Sequence, residues 1–350
     1  MFPHAYARFV APPNVLARVE SRERDAYVLV IPSTDSTPEL HSERRIGGRL
    51  GGTFRHAALD AAGLPAVGDY VAVELAPGGS LAIVRALLPR RNLFARRGAG
   101  RVSALQPIAA NIDTLFVAVA CNRDFNVRRI ERYLAGAEAC AVDAAIALTK
   151  TDLADDPAEY VGAARSVANG RPVLAVCALE GTGLEVFDGF RGAAKTLAFV
   201  GSSGAGKSTL INALLGERRL ATSAARDDDR GRHTTTRRQL VRLADGTAIV
   251  DTPGMREFGL SGDDDAVGAA FDDVAELAAA CRFADCRHES EPGCAVLGEL
   301  DEERLNSFRK LTREALFEAG KSDHSIRRAE KRRWKSITKS ARAFEKRRER

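Results

Sequence analysis

Residues 196–216 read TLAFVGSSGAGKSTLINALLG, and this stretch decides the fold. TLAFV has the length and apolar, β-branched content of a buried strand. Gly201, Ser202, Ser203, Gly204, Ala205, Gly206, Lys207 and Ser208 then match the spacing GxxxxGK[ST], and Thr209 continues into a helical run. Glycines in such a loop let backbone N–H groups face an anion at the positive end of the helix. Lys207 is placed to reach β- and γ-phosphates, and Ser208 to ligate Mg²⁺. The plain alternative is a glycine-rich turn that binds nothing; the strand before it and the helix after it weigh against that.

Downstream, strand TAIV (247–250) runs into Asp251-Thr252-Pro253-Gly254. A carboxylate at Asp251 can hold Mg²⁺ through water, and the N–H of Gly254 can sense a γ-phosphate. Between loop and strand lies ATSAARDDDRGRHTTTRR (221–238), with few apolar residues and no period. The expectation is a switch in which one of Thr234, Thr235 and Thr236 coordinates Mg²⁺, with Thr235 the choice. His233 beside them is a candidate to orient the attacking water, or equally a contact to a partner.

Upstream, strand VDAAIALT (142–149) ends on Thr149-Lys150-Thr151-Asp152, about fifty residues before the phosphate loop. Asp152 can accept from guanine N1–H and the 2-amino group, a donor pair that adenine lacks. Lys150 can lay its stem along the base. Cys177 and Ala178 end a further strand, PVLAVCA (172–178), and with Leu179 resemble the Ser-Ala-Lys/Leu element of GTPases, a resemblance that implies a backbone N–H contact to guanine O6. In ordinary small GTPases the phosphate loop precedes the base-reading loop. The reversed order here implies a circularly permuted domain.

The rest of the chain divides by composition. Residues 1–92 hold short β-rich runs such as AYVLVI (26–31), DYVAVEL (69–75) and LAIVRALL (81–88), with Gly47-Gly48 and Gly51-Gly52 as candidate bulges. These suit a small barrel of the OB type. Apolar strands alternating with helical segments from 113 to 276 predict a covered parallel sheet. The expectation is therefore a multidomain chain: a β-barrel (OB-fold) over 1–92, an α/β circularly permuted P-loop GTPase over 93–276, and an α-helical zinc-binding segment with a basic tail over 277–350.

Cys281-x4-Cys286-x-His288-x5-Cys294 supplies three thiolates and an imidazole, which complete a tetrahedral Zn²⁺ shell and leave no position for water. That reads as one structural zinc. Cys121, Cys140 and Cys177 lie in apolar runs and read as ordinary buried thiols.

Net charge is +5, yet residues 327–350 carry twelve Lys/Arg against three Glu, so the remainder is net negative. This tail is either an RNA-phosphate contact, with Trp334 stacking on a base, or a solvated helix anchored by Trp334, Ile337 and Phe344. The 45% hydrophobic content can fill real cores, and no apolar run approaches the ~20 residues of a membrane span. The start MFPHAYARFVAPP lacks a secretory layout, so a cytoplasmic protein without membrane contact is expected. No self-association stripe is visible, and a monomer is expected.

Pro65-Ala66-Val67-Gly68-Asp69, the run Gln106–Asp113 (QPIAANID), TKTD, GSSGAGKS, GRHTTT, DTPG and CRFADCRHESEPGCAV (281–296) together resemble the RsgA/YjeQ family of circularly permuted, ribosome-associated bacterial GTPases. The resemblance runs over nearly the whole chain. It implies GTP and GDP as ligands and a role in late maturation of the small ribosomal subunit, with rRNA contact and hydrolysis stimulated by that subunit. Other assembly factors are possible partners. The chain departs from the family pattern at Thr149, where an asparagine is usual and its amide would contact N7 and the phosphate loop, and at Cys177, where serine is usual. Met255 stands where many GTPases place a water-orienting glutamine, so slow basal turnover is expected. Two other readings remain: an RNA-binding zinc protein with a vestigial pocket, and an ATP-dependent enzyme.

Overall fold

The computed structural model describes Tyr6 and residues 8–23, 25–32, 43–58, 61–97, 105–217, 239–251 and 264–322. The Thr234–Thr236 run, His233, Gly254, Met255 and the basic tail lie outside them. Contacts divide the chain into two compact units: Met1–Arg96 with Leu105–Phe258, and Arg97–Ala104 with Gly259–Arg350.

Five strands open the first unit: β1 (Val15–Glu23), β2 (Ala26–Pro32), β3 (Glu43–Leu50), β4 (Tyr70–Leu75) and β5 (Leu81–Leu87). They pair in the order β1-β2-β3-β5-β4, and β4 returns to β1, so the sheet closes into a barrel with no free edge. The β3–β5 pair is parallel, which requires the crossover carrying α1 (Gly52–Ala57). Val19, Leu29, Ile46, Val71, Val73 and Val84 fill the interior. The register shifts fall at Val19/Ser21 and Ala72/Val73 rather than at the glycine pairs. Gly48 serves closeness instead: a Cβ there would meet Leu29 Cδ1 at 2.5 Å.

After a two-stranded ribbon of β6 (Leu93–Arg97) and β7 (Leu105–Ala110), strands and helices alternate. They are β8 (Thr114–Ala120), α2 (Val127–Glu138), β9 (Ala144–Thr149), α3 (Pro157–Arg165), β10 (Val173–Val176), β11 (Thr196–Val200), α4 (Lys207–Leu215), β12 (Gln239–Arg242) and β13 (Ala248–Asp251). Between β10 and β11 the connection is a single 3₁₀ segment, Leu184–Phe190. The sheet runs β10-β9-β8-β11-β13-β12, parallel except for β12 against β13. Apolar cores cover both faces, one around Val117, Ile146 and Ile130, the other around Phe116, Phe199 and Phe187. Strands β8 to β10 extend the sheet on one side of β11 and β12–β13 on the other. The end of β11 is thus the point where strand order reverses, and crevices for ligands open there. Ser21 pairs with Gln239 in the ladder that joins β12 to the barrel, and Arg242 of β12 makes an ion pair with Glu43 of β3.

The two runs singled out in sequence, 65–69 and 106–113, join the barrel to this sheet. Ala110 N–H donates to Val67 O at 2.9 Å, and a Cβ on Gly68 would collide with Ala110 O. Asn111 Nδ2 donates to Gly68 O at 3.3 Å. Fully buried Arg18 of β1 donates to Thr196 Oγ1 of β11 at 2.6 Å. Asp69 is buried and accepts from both Arg90 Nε (2.8 Å) and Arg90 Nη2 (2.6 Å), and from Ala66 N–H (2.7 Å). Arg90→Met would leave that carboxylate without its cation in a dry site. We expect a stability loss of about 3–5 kcal/mol, read from urea unfolding of the full chain. A change under 1 kcal/mol would remove the pair from the list of what holds this junction.

The second unit begins with α5 (Asp264–Ala270) and α6 (Asp272–Ala278). The two helices are separated at Phe271, whose ring is fully buried. Phe271 packs edge-on to Phe308 (5.5 Å) of α7 (Glu302–Ser322) and under the Arg304 guanidinium (4.2 Å). Arg304 is held by two 2.9 Å bonds to Asp273. Among the described residues, no helix is long and apolar enough to cross a membrane.

Candidate functional site

The phosphate loop forms where β11 ends. Gly201 leaves the strand with φ 147°, and a Cβ there would strike the Ala118 carbonyl of β8. Gly204 (φ 82°) and Gly206 (φ 75°) supply left-handed turns that side chains resist. The helices differ in how they start. Asn126 caps α2 through the N–H groups of Arg128 and Arg129, and Asp156 caps α3 through Ala158 N–H. Helix α4 starts at Gly206 with no side-chain cap, and the N-terminus of a helix favours an anion. Lys207 Nζ donates to Gly201 O (2.8 Å) and Ser202 O (2.7 Å), which holds its charge over the loop. Ser208 and Thr209 are half-buried in the first turn, and Ser203 and Gly204 are exposed at the rim. Asp251 is the last residue of β13, the neighbour of β11.

The base-reading segment arrives from the other side. Thr149 ends β9, buried at 1% exposure. Its hydroxyl donates to Ala205 O of the phosphate loop at 2.8 Å. The tie to the phosphate loop that an asparagine would make is therefore kept, through a hydroxyl. Lys150 takes a left-handed conformation (φ 57°), and the 3₁₀ turn Thr151–Leu153 follows. That turn leaves Asp152 exposed, with one carboxylate oxygen accepting from Cys177 Sγ at 3.0 Å. Cys177 is thus the polar partner that serine would be. Burial, then the hydrogen bond to Asp152, pushes its thiol above the usual range and keeps the proton on sulfur. Ala178 is half-buried beside it. The neighbouring Cys121 thiol is pushed up to about 11 by burial, so it stays protonated too. Residues 149–152, 177–178 and 201–209 converge although the chain separates them. Thr235, His233 and Gly254 lie outside the described residues, as does the side chain of Asp251.

In the second unit, one ligand atom from each of Cys281, Cys286, His288 and Cys294 lies within 4.8 Å of every other. Cys281 Sγ is 3.6 Å from His288 Nδ1 and 3.9 Å from Cys294 Sγ, and His288 Nδ1 is 3.4 Å from Cys294 Sγ. A zinc tetrahedron of thiolates and imidazole sets its ligand atoms about 3.5–3.8 Å apart, so the donor set fits in identity and spacing. Burial lowers the His288 pKa, which favours the neutral ring a metal requires. Ala295 N–H donates to Cys281 Sγ at 3.3 Å, a contact that supports a thiolate.

Sequence reasoning missed Glu291. Burial opposes its ionisation, yet the N–H groups of Arg287 (3.1 Å), Glu289 (2.8 Å) and Ser290 (3.0 Å) hold the carboxyl down at about 2. It fixes the loop that carries His288 at φ 58°. The signal was an acid directly before Pro292-Gly293 inside a cysteine loop.

A family profile described as RsgA GTPase matches residues 87–261. The chain is 41% identical to the small ribosomal subunit biogenesis GTPase RsgA of Opitutus terrae, covering 98% of this chain and 95% of that one. The crystal structure of YjeQ from Thermotoga maritima superposes with TM-score 0.63 at 25% identity, over 87% of this chain and 99% of that one. YloQ, described as a circularly permuted GTPase, shares the fold at TM-score 0.60 and 22% identity, over 90% and 98%. Motif order, strand order and these likenesses agree, and the chain belongs to the RsgA family of GTPases.

Proposed function

We propose that this chain hydrolyses GTP to GDP and phosphate as a biogenesis factor of the small ribosomal subunit, with its nucleotide state setting how it binds and leaves rRNA. One observation supports the choice of ligand: the exposed Asp152 carboxylate, an acceptor for guanine's paired donors, lies three residues past Thr149, whose hydroxyl meets the phosphate loop at Ala205.

In this reading the backbone amides of 202–208 and Lys207 hold the phosphates and stabilise charge that develops on the γ-phosphoryl group. Ser208, Thr235 and Asp251 hold Mg²⁺, which supplies further charge neutralisation when bound. Asp152 reads the guanine edge, Lys150 and Thr151 shape the turn around it, and the backbone at Cys177 and Ala178 faces O6. Gly254 senses the γ-phosphate. His233 orients water or meets the ribosome. Zn²⁺ on Cys281, Cys286, His288 and Cys294 is structural. The basic tail, 327–350, contacts RNA phosphates, and the protein works as a cytoplasmic monomer.

The test is turnover of GTP and ATP with and without purified small subunits. Slow GTP hydrolysis that rises at least tenfold on adding subunits, with ATP left intact, is the expected result. Equal turnover of both nucleotides, or indifference to the subunit, would refute it.

A further inference from the structure

A cleft of about 320 Å³ opens where strand β12 meets the outer face of the barrel. Its wall brings together Glu20 and Ser21 of β1, Val28 of β2, Arg45 of β3, and Gln239 and Leu240 of β12. Register explains the meeting. Leu29 faces the barrel core, so its neighbour Val28 faces outward, and Ser21 stands opposite it. Gly47 pairs with Val28 on the other side and adds no side chain there. Glu20 sits at the register shift between Val19 and Ser21. Arg45 Nε (2.9 Å) and Arg45 Nη2 (2.8 Å) both donate to its Oε1. Among the described residues Glu20 Oε2 has no such partner, although only 13% of the side chain is exposed.

These groups suit one unstacked RNA base. The volume lies at the small end of the ~300–1,000 Å³ range of ligand sites. Val28 and Leu240 give an apolar wall, and the Arg45 guanidinium, 66% exposed, offers a plane on which a base can stack. The spare Glu20 oxygen accepts from an exocyclic amino group, as on cytosine N4, and repels the O4 carbonyl of uracil. Gln239 adds a donor and an acceptor. Arg44 and Arg49, exposed on the same strand as Arg45, supply charge for the flanking phosphates. An acidic peptide would also meet these arginines, but it would be repelled by Glu20. The cleft touches the catalytic side of the sheet as well. Gln239 pairs with Ser21 on one side and with Asp251 on the other. A base seated against Gln239 therefore braces the strand beside Asp251.

We propose that this cleft binds one extruded, amino-bearing base of RNA, and that the bound base braces β12 so that GTP hydrolysis rises. This rests on the subunit-stimulated GTPase reading above and names a contact through which the subunit acts. Seating one base changes an RNA dissociation constant by about tenfold.

The experiment uses the full chain as wild type, Glu20→Gln and Val28→Trp. It measures GDP affinity, basal and subunit-stimulated GTP turnover, and affinity for short oligo(C) and oligo(U). The two oligomers differ at C4, amino donor against carbonyl acceptor, while phosphate contacts from the basic tail cancel in their ratio. Wild type should prefer oligo(C) by about fivefold or more. Glutamine presents both an acceptor and a donor, so Glu20→Gln should bring the two affinities within about twofold. Tryptophan at position 28 fills the cleft. Val28→Trp should lose about tenfold in oligo(C) affinity and most of the subunit's stimulation. Its basal turnover and GDP affinity should stay within about twofold, which also reports a folded nucleotide unit. Equal wild-type affinity for the two oligomers, or a Val28→Trp chain stimulated like the wild type, would overturn the proposal. So would stimulation lost with oligo(C) affinity unchanged, since a protein of the subunit would then fill the cleft. Should Val28→Trp fail to fold, Glu20→Gln decides: a kept oligo(C) preference overturns the proposal and a lost one supports it. A wild type that subunits do not stimulate would refute the functional reading by itself, and the oligomer comparison would still decide whether the cleft reads a base.

Discussion

Asp152→Asn is expected to weaken GTP binding by about a hundredfold or more and to raise affinity for xanthosine triphosphate above that for GTP. In the proposed reading the carboxylate accepts two donors from guanine. An amide presents one acceptor and one donor, so one of the two contacts becomes donor against donor. Xanthine carries a carbonyl where guanine carries its amino group, and the amide's N–H then finds an acceptor. The fold should tolerate the change, because Asp152 is exposed and its protein partner, Cys177, can donate to an amide oxygen as well. Competition of both triphosphates against a fluorescent GDP gives the result directly. If the variant keeps its preference for GTP, Asp152 does not read the base.

With zinc on the Cys281–Cys294 cluster as proposed, its loss should have the largest effect on structure. Structural Zn²⁺ in small cysteine–histidine sites contributes apparent binding free energies of about 10–16 kcal/mol at neutral pH, comparable to the ~5–15 kcal/mol that holds a whole domain. Between α6 and α7 the described chain has no regular helix or strand, and of its buried side chains two are His288 and Val296. Chelation or Cys294→Ser should therefore open residues 281–296 to protease while the nucleotide unit still binds GDP. Limited proteolysis with mass spectrometry, beside metal analysis of the intact chain, checks this. A protected 281–296 segment in metal-free protein would show that Glu291 and the flanking helices suffice.

How much of this was legible depended on whether a feature is local. The strand, glycine turn and helix of 196–215 were legible, because strand, glycines, lysine and helix follow one another in the sequence. The barrel was legible as a class from the alternation at 26–31 and 69–75, but β1 and β3 were not singled out. Arginines and glycines such as Arg44, Arg45, Gly47 and Gly48 dilute the β-signal in β3, and tertiary pairing overrides it. The break at Phe271 was invisible, since a long acidic, alanine-rich run looks like one helix until the buried ring and Arg304 are seen to demand a turn. Thr149 was recognised only as a missing amide. That its hydroxyl reaches Ala205 depends on β8 lying between the two strands, and no window of sequence contains that.

The position of β11 also bears on how the chain is made. Synthesis runs from the N-terminus, so β8, β9 and β10 leave the exit tunnel before the strand that completes the middle of the sheet. Until β11 emerges, β8 presents an unpaired and wholly apolar edge, LFVAVA, open to mispairing with other nascent chains. Translation must supply the central strand before either flank is safe from aggregation, and a pause between codons 120 and 196 would lengthen that exposure.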